Sequence, residues 1–208
     1  MNRHFETVLK VVFPNSCVLC GRAISPFWIL CEDCEAELFR GPIPLVEKTK
    51  WCEVYFYGRY ESLLRDAILA YKNGGHWRLS RILAKALLET MRRYSISFDV
   101  LTWVPSSFKA LEERGFDTMG MIAKVVSKNM HAKCVSLIQS AALSTKRGLT
   151  RQQRRESVRG MFLLKTKPTG TVALIDDVYT TGATIDECSK LLVRAGAEKV
   201  IAYCIAKA

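Results

Sequence analysis

The sequence predicts an α/β domain built on a parallel sheet flanked by helices, with a small four-cysteine module in front of it. Three observations carry that expectation. From residue 51 onward, apolar strand-like runs alternate with amphipathic helix-like runs. Two Cys-x-x-Cys pairs stand close together near the start. One apolar run, 171–175, leads directly into two carboxylates, a loop of small hydroxyl residues and a helix. A chain of 208 residues has room for one such domain and a small module besides.

Composition narrows the class without naming a partner. Hydrophobic residues at 49% and charged residues at 25% suit a globular chain with a real core. The formal net charge of +11 favours anionic partners such as phosphates, nucleotides or nucleic acid, although a basic surface kept for solubility gives the same sum. At the start, Phe5, Val8, Leu9, Val12 and Phe13 recur at helical spacing between Arg3, Glu6 and Lys10. That is an amphipathic helix; a secretory signal needs an unbroken apolar stretch. No apolar run is long enough for a membrane span, so the chain is expected in the cytoplasm with its thiols reduced.

The elements follow in order. Residues 1–45 are expected to hold the N-terminal helix and the cysteine module, closing on the linker Gly41-Pro42-Ile43-Pro44; residues 51–208 form the α/β domain. The run 51–57 is aromatic and β-branched, as a strand should be. A helix is expected over 61–71, a break at Asn73-Gly74-Gly75, and a second helix over 79–93. A buried strand over 98–104 stops at Pro105. After a strongly basic stretch, 144–159, come the strand 171–175, a helix over 184–195, Gly196 at a left-handed helix stop, and a last strand over 199–206.

Cys17-x-x-Cys20 and Cys31-x-x-Cys34 put two thiols on each of two tight turns. Four sulfurs so placed suit a tetrahedral zinc site, closed and therefore structural, that stabilises a module too small to fold alone. An iron–sulfur cluster, a redox pair or packed thiols are the alternatives. Cys52, Cys134, Cys188 and Cys204 sit in apolar surroundings and read as core residues.

The segment Asp176-Asp177-Val178-Tyr179-Thr180-Thr181-Gly182-Ala183-Thr184 carries the chemistry. A strand brings Asp176 and Asp177 to the carboxyl end of a sheet, where open α/β sheets bind ligands. Neighbouring carboxylates accept hydrogen bonds from vicinal hydroxyls, as on a ribose, or help to hold Mg²⁺. Thr180, Thr181, Gly182, Ala183 and Thr184 then supply backbone N–H groups at a helix start, a cradle for a monophosphate that Gly182 lets approach closely.

This string resembles the phosphoribosyl-pyrophosphate (PRPP) motif of type I phosphoribosyltransferases, and with the cysteines it resembles the ComF family (ComFC/GntX-like) of competence-associated proteins. The stretches 70–75, 104–117 and 149–162 fit that family as well. The resemblance implies a type I phosphoribosyltransferase-like sheet and a site in which Asp176 and Asp177 hold the ribose of PRPP bound with Mg²⁺. It implies that Ser106, Ser107, Arg114 and Lys72 face the pyrophosphate, and that a flexible basic loop bearing Arg151, Arg154 and Arg155 closes over the ligand. It departs from the family at Ser157, where Asn is usual, and at 144–147, where Lys146 stands and the usual Gln is missing. The acceptor of a transferred phosphoribosyl group has no recognisable pattern, and the oligomeric state is open.

Two functions of different class fit these signals. One is a phosphoribosyltransferase-like protein tied to DNA uptake. The other is a non-catalytic module for single-stranded DNA or for partner proteins of the uptake machinery, favoured by the basic stretch. His4, His76 and His131 make no metal spacing, and Trp28, Trp51, Trp77 and Trp103 are expected in the core or against the cysteine module.

Overall fold

A computed structural model describes residues 15–40, 45–141 and 160–208; the amphipathic stretch 1–14, the Gly-Pro segment 41–44 and the basic stretch 142–159, with Arg151, Arg154 and Arg155, lie outside the described residues. The chain runs β1 (Asn15–Ser16), β2 (Ala23–Ile24), α1 (Glu32–Leu38), β3 (Leu45–Lys48), β4 (Glu53–Arg59), α2 (Ser62–Asn73), a short 3₁₀ turn (Trp77–Leu79) and α3 (Ser80–Tyr94). It continues through β5 (Val100–Trp103), α4 (Phe108–Arg114), α5 (Thr118–Met130), β6 (Ile138–Ser140), β7 (Phe162–Leu164), β8 (Thr171–Tyr179), α6 (Ala183–Arg194) and β9 (Lys199–Lys207).

Five strands form one sheet in the order β3-β4-β9-β8-β5. The β4–β9, β9–β8 and β8–β5 pairs are parallel, as expected, and β3 adds an antiparallel edge against β4. The ribbon β6–β7 stands apart as an antiparallel pair. Period-2 alternation sorts each central strand onto two apolar faces. Tyr55, Tyr57, Leu101, Ala173, Ile175, Ile201 and Tyr203 pack with residues of α2, α3 and α5, such as Ile68, Leu87 and Ile122. Val54, Phe56, Val100, Val172, Leu174, Val200 and Cys204 pack with Ile185, Cys188 and Leu192 of α6. The central strands are thus buried on both faces, which is why they read as unbroken apolar runs. Gly196, at φ 108°, ends α6 as its position in the sequence predicts.

The cysteine module is docked on the domain rather than hung from it. Cys17, Leu30, Cys31, Cys34 and Leu38 share one apolar cluster with α2 and α3. The Tyr57 hydroxyl donates to the Leu38 carbonyl at 3.0 Å, and Lys85 of α3 reaches Glu35 at 3.2 Å while lying 4.0 Å above the Phe39 ring. Arg78 donates to the carbonyls of Pro26, at 3.5 Å, and Phe27.

Candidate functional site

The site grows from a mismatch in strand length. β5 pairs with β8 only as far as Trp103 opposite Ile175, and Val104 makes the last tie, donating to the Ile175 carbonyl at 3.0 Å. β8 continues through Tyr179 with β9 alone beside it. The expected end of this strand at 175 is therefore four residues short: β8 runs through both acids to Tyr179. β8 thus outruns β5 at the carboxyl ends of parallel strands, the end at which open α/β sheets bind ligands.

Because Asp176 and Asp177 are consecutive in a strand, alternation sends them to opposite faces. They do not form a side-by-side pair. Asp176 falls on the α6 face and is buried, its Oδ1 accepting from the backbone N–H of Asp177 at 2.9 Å. Burial, and next the charge of Asp177, push its carboxyl up to about 8 against the opposing pull of Lys72. Asp177 falls on the other face, where Lys72 at the end of α2 meets it at 2.7 Å. The same Oδ1 accepts the Val178 N–H at 2.6 Å. Lys72, expected from the resemblance to face a pyrophosphate, is paired in this structure with the second acid of the Asp176-Asp177 string.

The loop after β8 has the predicted form. Thr180 is exposed, and Thr181, Ala183 and Thr184 are partly so. Gly182 caps α6 with φ 75° and no side-chain capping bond; Thr181 Oγ1 accepts weakly from Ala183 N at 3.4 Å. The first-turn N–H groups of such a helix have no partners within it. A Cβ on Gly182 would overlap the hydroxyl of Tyr179, whose ring is fixed edge-on against Phe56 at 5.2 Å. Glycine is required there twice over, by its left-handed backbone and by close approach.

The expected pyrophosphate residues divide. Ser106 donates to Asp117 at 3.2 Å, and Ser107 caps α4 by accepting from Ala110 N at 3.2 Å, so both hydroxyls are engaged within the protein. Arg114, the last residue of α4, has no carboxylate partner among the described residues. Asp117 closes the family-like stretch 104–117, but the sequence alone assigned it no role. It also accepts from Trp103 Nε1 at 2.6 Å and so pins the β5 loop to the start of α5. Tyr71, fully buried beside Lys72, donates to the Thr118 carbonyl at 2.6 Å. The contacts Asp177–Lys72–Tyr71–Thr118 therefore join the acidic strand to the serine loop. Neither Asp117 nor Tyr71 advertised this in sequence, because each acts through a partner distant along the chain.

The four cysteines meet as their spacing predicts: the sulfurs of Cys17, Cys20, Cys31 and Cys34 all lie within 4.8 Å of one another, and Cys20 and Cys31 are 3.6 Å apart. A tetrahedron with metal–sulfur bonds of about 2.3 Å has edges of ~3.8 Å, so the set fits a metal such as zinc. Burial raises the Cys17 thiol, but amide hydrogen bonds outweigh it and bring the group down to about 6. Cys34 is raised, by burial first and then by its thiol neighbours. Cys34 N donates to Cys31 Sγ at 3.4 Å, a second contact that orients the sulfurs. Cys52, Cys188 and Cys204 are buried in the core as expected, and Cys134 is half-buried.

Two tryptophans depart from expectation. Trp28 and Trp77 are 57% and 54% exposed. Both line a cleft of about 500 Å³ that lies between the cysteine module and the α2–α3 connection rather than at the acidic loop.

Fold and cysteine cluster together define an α/β protein with a mostly parallel sheet and an N-terminal four-cysteine module. No protein-family model matches the chain. It is similar to Competence protein F of Haemophilus influenzae (25% identical, covering 92% of this chain and 84% of that one). It is similar also to DNA utilization protein YhgH of Escherichia coli K12 (25%, covering 92% and 89%) and Competence protein ComFC of Bacillus subtilis (27%, covering 90% and 75%). Among solved structures it is similar to adenine phosphoribosyltransferase, with a TM-score of 0.44 and 11% identity, covering 84% of this chain and 89% of that one. The likeness to ComF-type proteins that the motifs carry is borne out by relatives bearing those names. Among the described residues, no helix is long and apolar enough to cross a membrane.

Proposed function

We propose that the chain is a phosphoribosyltransferase-like protein that binds PRPP, or ribose 5-phosphate, at the β8–α6 loop, and that it serves DNA uptake in the cytoplasm. One observation carries this: β8 outruns β5 and delivers Asp176 and Asp177 immediately before an uncapped, glycine-started helix. Sugar hydroxyls beside a phosphate suit that order of groups. Asp177 is the carboxylate within reach of a ribose hydroxyl, while Asp176 is buried and holds the backbone of the strand end. The 5′-phosphate takes the N–H groups of residues 180–184.

Lys72 is part of the same design. An arriving ribose exchanges its hydroxyls for the ammonium on Asp177, and the released Lys72 faces the ligand's anionic end together with Arg114. Mg²⁺ suits the pyrophosphate with Asp177 as its protein ligand, since that ion takes one or two carboxylates plus substrate phosphates. It would neutralise the leaving group. Transfer of the phosphoribosyl group needs positioning and charge stabilisation rather than a protein nucleophile. The acceptor is left open. We assign zinc to the four cysteines, in a structural role.

A second function, binding single-stranded DNA or an uptake protein without catalysis, is favoured by Lys72 already neutralising Asp177 and by Asp117 standing beside Ser106, where a pyrophosphate would meet negative charge. Thermal shift with PRPP, ribose 5-phosphate and pyrophosphate separates the two. Stabilisation by the first two with Mg²⁺ supports the ribose-phosphate site; no shift with any of the three supports the second function.

A further inference from the structure

The cleft beside the cysteine module has the marks of a second binding site. Trp28 comes from the module and Trp77 from the 3₁₀ turn that follows α2, and each indole leaves more than half its surface in water. No ring contact joins them, so the space between is not closed by their own stacking. Next to it, Phe27 is exposed as well. Exposed indoles gathered at a concavity mark a recognition surface more often than a structural one. Their setting is firm: Arg78 donates to the carbonyls of Pro26 and Phe27, and Asn15 donates to those of Ser25, at 3.1 Å, and Trp28, at 2.8 Å. The aromatic turn of the module is therefore held by both sides of the cleft.

Charge limits the occupant. Among the described residues no acidic side chain lines this cleft, whereas Arg78 and His76 do; Glu35 lines only the adjoining hollow that shares Trp28, Trp77 and Arg78. Arg78 has no carboxylate partner among the described residues, and its carbonyl bonds leave other N–H groups of its five free. A ligand with a flat ring for the indoles and a negative group for the guanidinium meets every feature. A volume of about 500 Å³ is within the range of small-molecule sites and suits one nucleotide. We propose that this cleft is a nucleotide-binding site in which a nucleobase lies on Trp77 and Trp28 and its phosphate meets Arg78. It stands independently of the ribose-phosphate site at β8. The nucleotide is either free or one unit of a single strand, and the two sources are told apart by experiment.

Tryptophan fluorescence of the metal-loaded full chain is titrated with AMP, with dTMP and with an oligothymidylate. Saturable quenching is expected, weakened about ten- to a hundredfold in Trp77→Ala by loss of a base–indole stack, and largely kept in Trp77→Phe. Quenching by the mononucleotides assigns a free nucleotide, and quenching by the oligomer alone assigns a unit of a strand; both uphold the site. Equal affinity of wild type and Trp77→Ala, or no quenching by any probe, overturns it. PRPP binding is expected unchanged in Trp77→Ala, so loss of PRPP binding in the wild type bears on the β8 site alone.

Discussion

The cysteine module and the β8–α6 loop each gather like-charged groups, and they hold them by different means. In the module, four sulfurs converge within 4.8 Å, an arrangement that could hold a metal ion at its centre. At β8, strand alternation parts two carboxylates onto opposite faces, a backbone N–H meets one and Lys72 the other. The first cluster has room for an added metal ion, whereas in the second the fold itself pairs Asp177 with Lys72 and keeps Asp176 buried. Sensitivity should differ accordingly: the module to metal, the loop to single atoms of its scaffold.

The largest effect is expected from metal removal. Cys17, Leu30, Cys31 and Leu38 share the α2–α3 core, so chelation or Cys31→Ser should lower the melting temperature of the whole domain, not merely fray its start. Circular dichroism melts with and without chelator measure this, and an unchanged domain transition would break the comparison. Next in size is Gly182→Ala. Its Cβ overlaps the Tyr179 hydroxyl and its backbone is left-handed, so a loss of ~1–3 kcal/mol and of phosphate-ligand binding is expected in urea unfolding and titration.

Asp176→Asn sharpens the contrast further, because the buried carboxyl burdens the ligand-free fold. Its folded value is raised from 3.8 to about 8, so its contribution to stability is full below pH 4 and is lost as pH climbs towards 8. The variant is expected to show a flatter stability profile between those limits and to unfold at higher urea than the wild type at pH 8, with the difference shrinking towards pH 4. Smallest is Tyr203→Phe. The Tyr203 hydroxyl is fully buried without a hydrogen-bond partner among the described residues, so its removal should be neutral or stabilising by up to ~1 kcal/mol in chemical unfolding.

What could be read in the sequence follows the same division. Local signals held: paired cysteines, the apolar strands β4, β5, β8 and β9, the helices α2, α3 and α6, and Gly182. The short edge strand β3 was not legible, because Leu45–Lys48 follows Gly-Pro residues, alternates weakly and is defined only by pairing with β4. β8 extends further than its apolar run because β9 continues to pair with it through residues that disfavour strands. Lys72 meeting Asp177, and Asp117 holding Ser106 and Trp103, join segments remote along the chain. The exposure of Trp28 and Trp77 was likewise hidden, since an isolated tryptophan in a sequence reads as core.

The β8–α6 loop as a ribose-phosphate site is tested most directly by calorimetric titration of the metal-loaded chain with PRPP and Mg²⁺, beside the Asp176→Asn/Asp177→Asn variant. Magnesium-dependent binding by the wild type, lost in the variant, is the predicted result. Heat that is absent from both proteins, or equal in both, would contradict it.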